Sequence, residues 1–115
     1  MRLDHGLIRA LLLALETGNT DLDIAGFSAD QITYHLVLME EGGLIEADIF
    51  CSGDGKTIVQ PRQLSWKAHD FLAVARNDKV WNEAQGILSA KNMSVSFDLL
   101  QSMLSQLHQS SLALS

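Results

Sequence analysis

The spacing of apolar residues predicts five helices, with a pair of short strands between the second and the third. In residues 2–16, Leu7, Leu11 and Leu15 recur every fourth position, which is the spacing of one helix face. Later in the chain, the same kind of pattern predicts a helix from Trp66 to about Arg76 and two further helices after it. The possible N-caps of those two helices are Asn77 or Asp78, and Ser94 or Ser96.

Residues 28–46 carry the clearest local signals in the chain. Ser28 is a typical helix N-cap, and Gln31 stands where the reciprocal residue of a capping box belongs. Gly42 or Gly43 can end this central helix by adopting a left-handed conformation. The segment is therefore predicted to be a helix that stops at glycine and leads directly into a strand.

The strands are predicted from alternation rather than from helical spacing. Residues 44–51 place small or apolar side chains on one face and acidic ones on the other, and Phe50 interrupts the acidic face. The sequence Ser52-Gly53-Asp54-Gly55 is a strong turn signal, and residues 57–64 return as the second strand. Pro61 has no N–H to donate, so it should lie at an edge or a bulge.

Together these elements predict an α+β fold: a winged helix-turn-helix with a two-stranded β-hairpin wing and two additional C-terminal helices. Residues 17–27 would hold the second helix of the helix-turn-helix, but they are short and polar, and they include Asp21 and Asp23. That helix should be a single turn or missing. The length of 115 residues predicts a single domain over residues 1–115, with a helical extension over about residues 78–110.

The charge balance argues against a free-standing nucleic-acid binder. The formal net charge is −6, with a local balance of −7 in residues 1–50 and +1 in residues 51–115. Nucleic-acid binders usually need an excess of Lys and Arg to neutralise phosphates. Hydrophobic residues make up 47% of the chain, which is enough to form a hydrophobic core.

The sequence also predicts where the protein resides. Cys51 is the single cysteine, which excludes an internal disulfide and suits a reducing compartment. The first residues include Asp4 and His5 where a signal peptide would have a net positive charge, and their apolar run is too short to cross a bilayer. We therefore expect a cytoplasmic protein without a membrane partner.

Several motifs resemble one known family. They are Ile32-Thr-Tyr34-His35-Leu36, Glu41-Gly-Gly43-Leu44-Ile45, Leu64-Ser65-Trp66-Lys-Ala-His69-Asp70-Phe71-Leu72, and Arg76-Asn-Asp78 followed by Trp81. The chain is identified by them as a member of domain of unknown function 2513, a family of bacteria and their prophages. Where that family tends to have Gly before its second His, this chain has Ala68. The resemblance supports the winged-helix fold and brings no established activity.

Residues that could contact DNA are few. In a helix-turn-helix the N-terminal half of the central helix enters the major groove, where Gln31 could read adenine. Lys56 at the hairpin turn, Arg62 on the second strand and Lys67 beyond it could contact phosphates or an acidic partner. The central helix itself contains no Lys or Arg, so we interpret it mainly as a packing helix with a solvated acidic edge.

Six polar and aromatic residues form a second candidate set: Tyr34, His35, Trp66, His69, Asp70 and Trp81. They could line a small-ligand pocket. We favour a structural role, in which His35 and His69 are buried against the two Trp rings and bond to a backbone carbonyl or Asp70. A metal site made of Cys51, His35 and His69 is a weaker alternative, because no pair has the spacing of metal ligands.

No catalytic constellation and no cofactor motif is evident, so we predict that the protein is not an enzyme and needs no cofactor. Two functions stay open. The first is a protein–protein interaction module that works through apolar helix faces, with self-association as a dimer as one form. The second is a DNA-binding regulator that uses the winged helix as a dimer. The acidic central helix favours the first.

Overall fold

A computed structural model describes residues 3–19, 22–91 and 95–113. These ranges contain five helices and one two-stranded antiparallel sheet, so the predicted α+β class is confirmed. In chain order the elements are α1 (His5–Glu16), α2 (Ala29–Glu41), β1 (Ile45–Cys51), β2 (Thr57–Leu64), α3 (Trp66–Ala75), α4 (Asp78–Ala90) and α5 (Phe97–Ala113).

The chain divides into two compact units, residues 1–69 and residues 70–115, and the boundary falls inside α3. The first unit holds α1, α2 and the hairpin. The second holds the rest of α3 together with α4 and α5. Whether the two units behave as one cooperative domain stays a prediction.

In the first unit, α1 packs against α2 and β2, and α2 packs against both strands. Asp4 caps α1, since its carboxylate accepts the Leu7 N–H at 3.0 Å. The apolar faces predicted for the two helices are buried, and their fully or almost fully buried members include Leu7, Leu11, Ile32, Leu36 and Met39. Removing these side chains from water is the main favourable contribution to folding of this unit.

Helix α2 begins and ends as its sequence predicts. The Ser28 hydroxyl accepts the Gln31 N–H at 3.1 Å, and the Gln31 side-chain oxygen accepts the Ser28 N–H at 2.8 Å, which completes a capping box. At the other end Gly43 adopts a left-handed φ of 78°, and the Leu44 N–H returns to the Met39 carbonyl at 2.8 Å. Of the two predicted terminator glycines, Gly43 therefore takes the left-handed conformation.

The connection between α1 and α2 contains no helix in its described parts, residues 17–19 and 22–28. It makes a turn at Ala25 and Gly26 instead, where Gly26 has a φ of 90°. This agrees with the prediction that the middle helix of a helix-turn-helix would be short or missing. Asp21, which the prediction placed in this polar segment, lies outside the described residues.

The hairpin has one irregularity, close to its proline. Ile45 pairs with Leu64 and Glu46 with Gln63, and the register then shifts so that Ala47 faces Pro61. Arg62 is left without a cross-strand partner, which is the arrangement of a β-bulge. The predicted position of Pro61 at an edge or bulge is confirmed.

The second unit is organised around Phe71. Its ring packs edge-to-face on Trp81, with centroids 6.4 Å apart, and lies 4.5 Å from the ring of Phe97. Helices α4 and α5 pack on each other, and their buried residues include Ala84, Leu88, Leu100 and Leu104.

The caps of the last two helices follow the predictions. Asn77 caps α4, since its side-chain oxygen accepts the N–H groups of Lys79 at 3.0 Å and Val80 at 3.2 Å. Ser96 caps α5 through the Leu99 N–H at 3.2 Å. The alternative cap, Ser94, lies outside the described residues. None of the described helices combines the length and the hydropathy that crossing a bilayer requires.

Candidate functional site

A groove of about 580 Å³ lies between α2 and the tip of the hairpin. Helix α2 contributes Asp30, Thr33 and Tyr34 to its wall, and the hairpin contributes Lys56 and Thr57. Lys56 is the basic residue among those lining the groove, and Asp30 at the first turn of α2 opposes it in charge.

Gln31 is already engaged in the fold. Its side-chain oxygen accepts the Ser28 N–H and so completes the cap of α2. Reading adenine in the major groove takes both the oxygen and the nitrogen of a glutamine amide. Contact with a base would therefore require the capping box to open.

The other predicted phosphate contacts do not converge with Lys56. The guanidinium of Arg62 lies 3.5 Å from the Asp48 carboxylate in an exposed ion pair. Lys67 is half-buried in the first turn of α3. Neither residue lines the groove. The groove thus offers much less positive charge than phosphate binding usually requires.

The hairpin turn is held by a carboxylate. Asp54 accepts hydrogen bonds from the Ser52 hydroxyl and, at 3.1 Å, from the Lys56 N–H. These two bonds, the Ser52 bond first, hold the pKa of Asp54 below its ordinary value of 3.8 because they stabilise the ionised form. The exposed carboxylate therefore fixes the position of Lys56 through its backbone.

His35 is buried and bonded to a backbone carbonyl as predicted, but the aromatic ring that contacts it is Tyr34 and not one of the two Trp rings. It is buried, with 2% of its surface exposed, and its Nε2 lies 2.8 Å from the Asp4 N–H, which donates to it. Nδ1 must then carry the proton, and it donates to the Gln31 carbonyl at 2.7 Å. The side chain joins the start of α1 to α2, and Tyr34 contacts its ring edge-to-face at 5.5 Å.

The prediction was wrong for two other members of the aromatic set. Trp66 is 82% exposed at the start of α3, and His69 is exposed on the same helix. Asp70 is also exposed, whereas Trp81 is buried on α4 beside Phe71. Trp66 and Lys67 open α3 after the Ser65 cap, and the buried face of that helix starts at Ala68.

Sequence reasoning missed a patch of exposed apolar side chains on the hairpin. We call Phe50 and Ile58 the hairpin patch; they are 51% and 48% exposed, while Ile49, which is 42% exposed, points to the other face of the sheet. Phe50 and Ile58 are cross-strand partners, so they lie side by side on one face of the sheet. The signal was present in the sequence: Phe50 interrupts an otherwise acidic face.

The three residues of the alternative metal site lie in different surroundings. Cys51 is exposed at the end of β1, and both ring nitrogens of His35 are engaged with the backbone. Within residues 3–19, 22–91 and 95–113 there is no group of three or more His, Cys, Asp or Glu side chains that could hold a metal ion.

An α+β fold with one hairpin and a groove beside it defines a broad class of small proteins. Comparison of the sequence with known protein families narrows this class to one family. The model of a family described as "Hypothetical protein (DUF2513)" matches residues 2–94. A protein of Haemophilus influenzae, described as uncharacterized, is 33% identical over 107 residues, which is 88% of this chain and 90% of the relative. No solved structure is significantly similar to the chain. The chain belongs to the DUF2513 family, as its motifs indicated.

Proposed function

We propose that this protein is a non-enzymatic winged-helix protein, and that it serves as a prophage-type accessory or regulatory module that binds another protein. The observation that carries the proposal is the chemistry of the surface formed by α2 and the hairpin. Helix α2 contains no Lys or Arg, and the hairpin beside it exposes Ile49, Phe50 and Ile58. Acidic and apolar side chains together suit a protein partner better than a polyphosphate.

Two features support the winged-helix interpretation. The order α1, α2, hairpin corresponds to the first helix, the recognition helix and the wing of a winged helix, and α2 packs against both strands of the hairpin. The departure is the segment between α1 and α2, where residues 22–28 form a turn in place of the middle helix. The fold analogy by itself carries no function.

The main test compares DNA binding with protein binding. A fluorescence-anisotropy titration with mixed genomic DNA fragments at low salt should show no tight binding. In parallel, a photo-reactive amino acid at Phe50 or Ile58 should crosslink to protein in cells, while the same group at Lys79, exposed on α4, should not. Tight, salt-sensitive DNA binding with no crosslink at the hairpin would overturn the proposal.

A DNA-binding regulator is the second candidate function, and one observation favours it. Lys56 stands at the groove beside the N-terminal half of α2, where a wing residue could reach a phosphate. A dimer would double this contact. In that case Lys56→Ala should weaken binding to all DNA sequences alike and lower the salt dependence by about one phosphate contact. Equilibrium sedimentation at high concentration tests whether such a dimer forms.

A further inference from the structure

The two edges of the hairpin differ. The sheet of the described residues has two strands, so β1 and β2 each have one edge without a strand partner. The edge of β2 is interrupted by Pro61, which lacks an N–H, and by the bulge at Arg62, and α1 packs on this strand. Proline and bulges are devices that prevent a strand from pairing further.

Strand β1 has none of these devices. Its seven residues, Ile45–Cys51, contain no proline and no glycine. Within the described part of the chain, the backbone groups at its outer edge have no hydrogen-bond partner. Unpaired N–H and C=O groups in a row are a template for an added strand.

The side chains along β1 indicate what kind of strand would fit. Glu46, Asp48 and Phe50 point to one face, and Ala47 and Ile49 point to the other. An added strand that ran antiparallel to β1 would place its side chains directly opposite these residues. Basic residues two positions apart would face Glu46 and Asp48, and apolar residues would face Ala47 and Ile49 on the other side of the sheet.

A second copy of this chain fits the same edge poorly. Symmetric antiparallel pairing centred on Asp48 would set the two Asp48 carboxylates directly opposite each other, and pairing centred on Ile49 would leave them on the diagonal. Like charges in such positions are destabilising. Residues 1–69 also carry ten acidic and five basic side chains, a net charge of −5, so their field favours a cationic partner.

We propose that the outer edge of β1 binds an extended segment of a partner protein in which basic and apolar residues alternate. The segment adds a third strand to the hairpin. Its basic residues pair with Glu46 and Asp48, in addition to the bonds that these carboxylates make with Gln63 and Arg62, and its apolar residues cover Ala47 and Ile49. This inference rests on the proposed protein-binding function and names the chemistry of the partner.

The test uses the full chain and a synthetic probe. The probe is a short fluorescent peptide that alternates valine and lysine. One control peptide carries glutamate in place of lysine, and another has every backbone nitrogen methylated, so that it cannot donate to a strand edge. We expect the lysine peptide to bind about tenfold more tightly than the glutamate peptide, since two opposite-charge pairs replace two like-charge pairs.

Protein variants locate the binding site. Glu46→Lys combined with Asp48→Lys should reverse the preference, so that the glutamate peptide binds more tightly. Glu83→Lys, a charge reversal at an exposed position on α4, is the matched control and should leave the preference unchanged. In NMR spectra, the lysine peptide should shift and protect amides of residues 46–51 and leave those of α4 unaffected.

Three results with the peptides would overturn the inference: equal binding of the lysine and glutamate peptides, full binding of the methylated peptide, or shifts confined to the groove between α2 and the hairpin tip. The inference would also be overturned if sedimentation showed a dimer and the β1 amides were protected without peptide. The outer edge of β1 would then be occupied by a second copy of this chain. These results would leave the proposed function standing, whereas tight DNA binding would reject both.

Discussion

At the scale of single residues, the contrast between the two histidines of the candidate set is the most informative. His35 and His69 both lie in motifs of the DUF2513 family, yet one is buried between α1 and α2 and the other faces solvent on α3. His35 bonds two backbone groups from different helices. His35 therefore stabilises the fold through its hydrogen bonds to the Asp4 N–H and the Gln31 carbonyl.

Replacing His35 with phenylalanine should destabilise the protein. The change keeps a ring of similar size but leaves the Asp4 N–H without its acceptor, while the Gln31 carbonyl keeps only its bond within α2. An unsatisfied buried group costs about 1–3 kcal/mol, so we expect a loss of about that size in the free energy of unfolding. Urea unfolding followed by circular dichroism measures it. His69→Phe is the control and should change the value by less than about 0.5 kcal/mol.

Asp54 gives the hairpin turn a pH dependence. Its pKa in the folded protein is below 3.8 because Ser52 and the Lys56 N–H bond the ionised carboxylate. Because the folded state lowers this pKa, the ionised carboxylate stabilises the turn at pH values above the ordinary pKa of Asp. The contribution is lost as the pH falls through the pKa of the folded state.

The Lys56 amide proton therefore should shift in NMR spectra with a midpoint below pH 3.8. Asp54→Asn, which keeps an acceptor oxygen but cannot ionise, should abolish this titration. A midpoint at or above 3.8 would mean that the two hydrogen bonds do not form in solution.

At the scale of elements, helix ends and the hairpin turn follow local sequence signals. The capping box of Ser28 and Gln31, the Asn77 and Ser96 caps and the turn after Cys51 all form where the sequence predicts them. These signals act within a few residues, so the rest of the fold is not needed to recognise them. The exposure of the hairpin patch does not follow from local signals, because it depends on which other elements cover each face of the sheet.

Two glycines should respond in opposite ways to alanine substitution. Gly43 ends α2 with a φ of 78°, a region that costs an L-residue about 1 kcal/mol or more, so Gly43→Ala should destabilise the protein by about that amount. Gly86 lies in the middle of α4 with open space around its Cα, so Gly86→Ala should stabilise by about 0.5–1 kcal/mol.

Urea denaturation of the two variants beside the parent chain checks both signs in one experiment. If both substitutions stabilised the chain, the left-handed end of α2 would not exist in solution. If both destabilised it, the middle of α4 would not be a helix with open space around Gly86.

At the scale of the whole molecule, the distribution of charge and apolar surface decides the functional interpretation. The net charge of −6 belongs almost entirely to residues 1–69, the unit that contains α1, α2 and the hairpin. That unit also carries the hairpin patch. A partner for it should therefore be basic and partly apolar, which is the reasoning behind both proposals.

The predicted single domain has a direct test, because each unit contains a suitable probe. Trp81 is buried in residues 70–115, while the amides of β1 and β2 report on residues 1–69. If the chain is one cooperative domain, Trp81 fluorescence in a Trp66→Phe background and the NMR signals of the hairpin should be lost at the same urea concentration. Separate midpoints would show that the two units unfold independently.

The sequence by itself determined where most helices and strands begin and end, since caps, glycine terminators, turn residues and apolar spacing are local properties. It also determined the acidic character of α2. The tertiary structure decided which similar residues are buried: His35 but not His69, and Trp81 but not Trp66. It also decided that Phe50 and Ile58 meet on one face and that β1 keeps an open edge. Burial and pairing depend on register and packing between segments far apart in the chain, and no short stretch of sequence contains that information.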